Sequence, residues 1–87
     1  MTKRPILTPK QTAKNKERRE SGRVALAEFV KYVDASDLGR MHRTDVRAAV
    51  VDLVTNLMHY ARVIGFGPTE IVWVAKEHFE AEERGLD

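Results

Sequence analysis

Between Val46 and Ile64 the apolar residues Val46, Val50, Leu53, Leu57, Tyr60 and Ile64 recur at alternating steps of four and three. That spacing places them on one stripe of a helix. At about 100° per residue, Val51, Val54 and Met58 widen the stripe to an arc of roughly 200°. One neighbouring helix cannot cover so broad an arc. The segment is therefore expected to be central, flanked on two sides by helices of its own or of another chain, with Leu53 and Leu57 in mid-arc. Thr44 or Asp45 is expected to cap its start, and Gly65 to end it.

The flanking segments read as helices too. Thr8-Pro9-Lys10-Gln11 combines a capping threonine, a proline suited to the first helical position and a glutamine that completes a capping box. The helix is expected to run to Ser21-Gly22 and to break or bend there. From Val24 the pattern turns apolar, with Leu26, Phe29, Val30 and Val33 at helical spacing. Asp34 to Gly39 reads as a stop, with Gly39 available as a left-handed cap. Gly67-Pro68-Thr69-Glu70 opens a third segment, in which Ile71, Val74, Ala75, His78 and Phe79 share a face. No stretch alternates as a strand would. The expected class is all-α, a small bundle of three main helices with a basic N-terminal leader.

Charge divides the chain. Residues 1–23 hold eight Lys/Arg against two Glu, a net of +6, and residues 24–87 hold seven against eleven acids, a net of −4. The basic part contains few core-forming residues beyond Ile6 and Leu7. Residues 1–22 are accordingly expected to be a tail or a solvated helix, dispensable for folding, and residues 23–87 the helical domain. A chain of 87 residues buries only a little over half of its unfolded surface, and with no cysteine it has no crosslink to compensate. Dimerisation, or support from a larger partner, follows as an expectation. No apolar run reaches the ~20 residues of a membrane span, and MTKRPILTPK lacks the apolar stretch of a signal peptide, so a cytoplasmic location is expected.

The chemistry-bearing residues form no enzyme-like set. His59 and Asp52 stand seven apart, about 10.5 Å of rise, too far to chelate one ion. Neither His59 nor His78 has a second histidine at the spacing of a helical metal pair. His78 and Glu82 are four apart, but two ligands do not make a site. Glu77, Glu80 and Glu83 have the i, i+3 spacing of metal-dependent all-α pyrophosphohydrolases without a facing carboxylate motif. No nucleophile–base set or phosphate-cradling loop is present. The expectation is a non-enzymatic protein without cofactor or metal, in which His78 is a buried or half-buried hydrogen-bonding group.

Two binding surfaces remain. Trp73 points about 160° away from Ile71, and an outward tryptophan is enriched at binding hot spots. Trp73, Val72, Val63 and Lys76 are therefore the expected partner surface, for a protein partner or a second copy. The alternative is a small nucleic-acid-binding regulator. It would use the basic arm of Lys3, Arg4, Lys10, Lys14, Lys16, Arg18, Arg19 and Arg23, together with a helix-turn-helix-like hairpin marked by Ala61, Gly65 and Ile71. The hairpin's second helix would present Thr69, Val72, Trp73 and Lys76. Residues 66–87, however, carry Lys76 and Arg84 against six acids, and DNA repels such a surface.

One pattern carries a resemblance. Asp52, Leu53, Asn56, Leu57, Met58 and His59, then a turn with Gly65, then Ala75, His78, Phe79 and Glu82 form a D-L-x-x-N-L-M-H…G…A-x-x-H-[FY]-x-x-E pattern. It resembles a group of small helical proteins of bacteriophages and other bacterial mobile elements, and covers about residues 45–83. The resemblance implies a mobile-element source and a role in docking on a host or defence complex, an anti-CRISPR-like inhibitor being one concrete version.

Overall fold

The computed structural model describes residues 6–86, and among them every regular element is helical. Helix α1 spans Pro9–Asp34, a single 3-10 turn follows at Leu38–Arg40, α2 spans Arg43–Val63 and α3 spans Pro68–Glu83. The all-α class and the three helices are as expected.

Helix α1 begins as its sequence dictates. Thr8 Oγ1 accepts from the Gln11 backbone N–H at 3.2 Å, and Gln11 Oε1 accepts from the Thr8 N–H at 2.9 Å, a reciprocal capping box with Pro9 at the first position. The expected break at Ser21-Gly22 is absent. A glycine in a helix costs roughly 1 kcal/mol relative to alanine, too little to interrupt 26 residues of otherwise helical sequence. The Arg23 guanidinium also donates two bonds to the Glu20 carboxylate, at 2.6 and 2.9 Å, and so clamps the turn containing Gly22. Residues 9–22 are thus the first half of a continuous helix, mostly solvated, and the boundary placed at residue 22 falls inside it.

Two caps differ from expectation. Ala35, not Gly39, takes the left-handed conformation that ends α1, at φ 60°. Gly39 is held instead in the 3-10 turn, where Asp37 Oδ1 accepts its N–H at 3.0 Å. At α2, His42 rather than Thr44 or Asp45 is the N-cap. Its Nδ1 lies 3.4 Å from the Thr44 N–H and 2.9 Å from the Thr44 hydroxyl. Helix α2 ends, as expected, through Gly65 at φ 91°, with the Phe66 N–H bonded to the Ala61 carbonyl at 2.9 Å. Pro68 opens α3 as expected.

The core lies at one corner. Leu26 and Val30 of α1 are buried against Ala49 of α2, with Phe29, Leu38, Met41, Val46 and Leu53 packed around them. About 22 Å back along α1, from Val30 to Asn15, the same face meets the end of α3 through polar bonds. Asn15 Nδ2 donates to the Glu82 carbonyl at 3.0 Å, and the Gln11 amide donates to the Gly85 carbonyl. Arg18 Nε stands 3.2 Å from the Glu82 carboxylate and its Nη1 donates to Asn15 Oδ1 at 2.6 Å. These side chains supply further donors to carbonyls at and just beyond the end of α3, where the Glu82 carbonyl also accepts the Gly85 N–H at 3.2 Å. With α2 and α3 joined by the Gly65–Gly67 turn, the three helices form the sides of an open triangle, with extents of 40, 35 and 25 Å. Among the described residues, no helix is long and apolar enough to cross a membrane.

Candidate functional site

The open arrangement leaves apolar surface on two sides, and each side is built by helix phase. On α2, Ala49 and Leu53 turn to α1. The neighbouring residues Val50, Val54 and Leu57 line a groove of about 630 Å³ that continues onto Leu26 of α1. Arg19 and Arg23 stand on its rim. Leu57, expected in mid-arc and buried, is 58% exposed, and Val50 is 45% exposed. The arc has the phase the sequence demands, but α1 covers it only around Val46, Ala49 and Leu53 and leaves Val50, Val54 and Leu57 exposed.

The same open arrangement corrects the reading of His78. Ile71, Ala75, His78 and Glu82 lie within an arc of about 60° on α3. Glu82 reaches Arg18, so this is the inward face. Yet no residue of α3 is buried, and His78 is exposed rather than buried or half-buried. Its neighbours in a shallow cleft are Glu77, Ala81 and Glu82. His59 is exposed as well. Among the described residues no group of three or more His, Cys, Asp or Glu is placed to hold a metal ion.

Of the expected partner surface, Trp73 is 58% exposed and Val63 83% exposed, with Val72 also on the surface. Lys76 approaches Glu80 at 3.5 Å, one turn further along α3. That pair is solvent-exposed and worth only about 0–1 kcal/mol, so it leaves Lys76 free to exchange partners. Tyr32 of α1 is 90% exposed.

The basic residues are dispersed. Lys10 and Lys14 share one flank of α1, and Lys16 lies about 160° from Lys14. Arg18 is engaged by Glu82 and Asn15, and Arg23 by Glu20. The Glu20 carboxyl is held below its ordinary value by the hydrogen bonds from Arg23 and by that residue's charge. Lys3 and Arg4 lie outside the described residues. A second cleft, of about 300 Å³ and lined by Asp34, Asp45 and Asp52, flanks the core beside Phe29 and Val33. The sequence reading missed Asn15 and the bond from Gln11 to α3. The available signal was their i, i+4 spacing, in register with Leu26 and Val30 on one face of α1.

What fold and surfaces define is a small three-helix protein with two uncovered apolar faces. No protein-family model matches the chain, and no curated protein and no solved structure matches it either.

Proposed function

We propose that this chain is a non-enzymatic binding module that docks on another protein through the outward side of the α2–α3 hairpin. The observation that carries the reading is Trp73, a large apolar side chain 58% exposed on a small protein. An exposed indole flanked by Val72 and Val63, with Lys76 beside it, has the make-up of an interface anchor: a large apolar body with a cation at its edge. The acidic balance of α3, five Glu against Lys76, favours a partner with a basic rim around an apolar pocket. The resemblance to mobile-element proteins adds that the partner belongs to a host or defence complex, with inhibition by occlusion as the mechanism.

The test is affinity capture from bacterial lysate with the intact chain and with Trp73→Ala. A stoichiometric protein captured by the former and lost with the latter, at unchanged helicity, is the expected result. Equal capture by both chains rejects Trp73 as the anchor. Retention of nucleic acid alone, with affinity falling steeply as salt rises, replaces the proposal with the basic-arm reading.

A further inference from the structure

We infer that the groove between α1 and α2 is an interface between two copies of this chain, and that the folded unit is a two-fold homodimer. The inference goes beyond the docking proposal, which concerns the opposite side of the hairpin.

Area is the first ground. The chain exposes 7647 Å², whereas a folded monomer of its mass is expected to expose about 5,200 Å². Its radius of gyration is 15.2 Å, against about 12 Å for a compact domain of this length. One side of a standard interface buries about 800 Å². The excess over the whole chain is roughly three times that, enough surface for an interface of standard size. Much of it is apolar: Val50, Val54 and Leu57 in the groove, then Ile71 and Phe79 on α3, are all exposed in the single chain. Four apolar residues, Leu26, Val30, Ala49 and Ala61, are its whole buried apolar complement among those described. Two of the four are alanines, too little core to organise three helices of 26, 21 and 16 residues alone.

Charge is segregated along the chain in a way that suits a second copy. The first half of α1, residues 9–23, carries six Lys/Arg against two Glu, and α3 carries five Glu against one Lys. The two elements thus have net charges of +4 and −4. Arg18 and Glu82 already pair within the chain. Lys10, Lys14 and Lys16 on one element, and Glu77, Glu80 and Glu83 on the other, remain exposed. A two-fold axis presents each element to its counterpart twice, so the two oppositely charged elements attract each other across it although their charges are not gathered on one face. The groove itself is lined by apolar residues together with Arg19 and Arg23.

Sedimentation equilibrium of the full chain is expected to give about twice the 9.9 kDa of one copy, and the melting temperature is expected to rise with protein concentration. A monomer with a concentration-independent melt overturns the inference. Because the chain has no cysteine, Leu57→Cys introduces a unique thiol on the groove. Its reaction with a maleimide is expected to slow roughly tenfold between dilute and concentrated protein, as mass action covers the groove. A thiol shielded equally at every concentration means that the helices close on themselves, and overturns the inference. Trp73→Ala is expected to remain dimeric. Loss of the dimer in that variant places the interface on the outward side and overturns the assignment to the groove.

Discussion

Replacing Asn15 with alanine tests whether the basic half of α1 belongs to the fold. Asn15 is 6% exposed although it lies in a segment almost without apolar residues. Its amide donates to the Glu82 carbonyl at 3.0 Å and accepts from Arg18 at 2.6 Å. The first bond contributes about 1 kcal/mol, and its loss leaves the Glu82 carbonyl with the Gly85 N–H, at 3.2 Å. The second is charge-assisted, worth roughly 1.5–3 kcal/mol when dry. It is discounted here because the Arg18 side chain is 36% exposed and keeps Glu82 at 3.2 Å. Alanine returns about 0.5 kcal/mol of helix propensity. The net cost is about 2 kcal/mol, which for a domain of this size lowers the melting temperature by about 10 °C. Thermal melts by circular dichroism at one fixed protein concentration measure it, with the exposed Lys16→Ala as control. An Asn15→Ala melt indistinguishable from that of Lys16→Ala refutes the clasp. It would return residues 9–22 to the status of a dispensable leader, which composition alone implies. With the clasp intact, deletion of residues 1–20 is expected to destabilise the chain rather than leave it unchanged.

Backbone positions give predictions of opposite sign. Gly22→Ala fills open space in mid-helix and is expected to stabilise by about 0.5–1 kcal/mol. Ala35→Gly relieves a left-handed alanine and is expected to stabilise by about 1 kcal/mol, read as a shift in urea midpoint. Gly85→Ala meets a φ of 72° and a new Cβ only 2.8 Å from the Gln11 amide, so it is expected to destabilise by more than 1 kcal/mol. Val30→Ala removes the most buried large side chain and is expected to cost about 2–3 kcal/mol, measured by denaturant melt. The Glu20–Arg23 pair sets an acid-side dependence. The folded-state carboxyl lies below its ordinary 4.5, so its stabilisation is present at neutral pH and is lost as pH falls through that depressed value. The difference in melting temperature between the intact chain and Glu20→Gln is therefore expected to shrink on going from about pH 7 to about pH 3.

Local signals carried the elements. The capping box at Thr8 and Gln11, the proline that opens α3 and the Gly65 turn are each decided within four or five residues of chain, so they are visible in the sequence. Caps that depend on the route of the chain are not. Ala35 accepts the left-handed conformation because Leu38 must return to the core beside Leu26, and no propensity at residue 35 announces that. His42 caps α2 through a ring nitrogen, outside the Ser, Thr, Asp and Asn set that sequence reasoning searches first. The clasp was hidden for a different reason. Gln11 and Asn15 look like solvated polar residues until the end of α3 and the residues after it bring carbonyls to them, 74 and 67 residues further along the chain.

Helical phase was legible throughout, and coverage was not. The apolar arc on α2 and the inward face of α3 lie where periodicity puts them, yet Leu57 and His78 face solvent in the single chain. Periodicity reports which side of a helix avoids water in the functional state, without saying whose atoms replace the water. An arc of roughly 200° on one helix asks for two covering neighbours along its whole length. Here α1 covers the first half of α2 and α3 approaches only its end, because the Gln11 and Asn15 bonds hold the far end of α3 against the first half of α1. Closing the triangle around Leu57 would pull α3 off those bonds and leave the Glu82 and Gly85 carbonyls without them. The clasp that completes α3 therefore keeps the groove open, and a second chain can fill it without breaking a bond that the first has made.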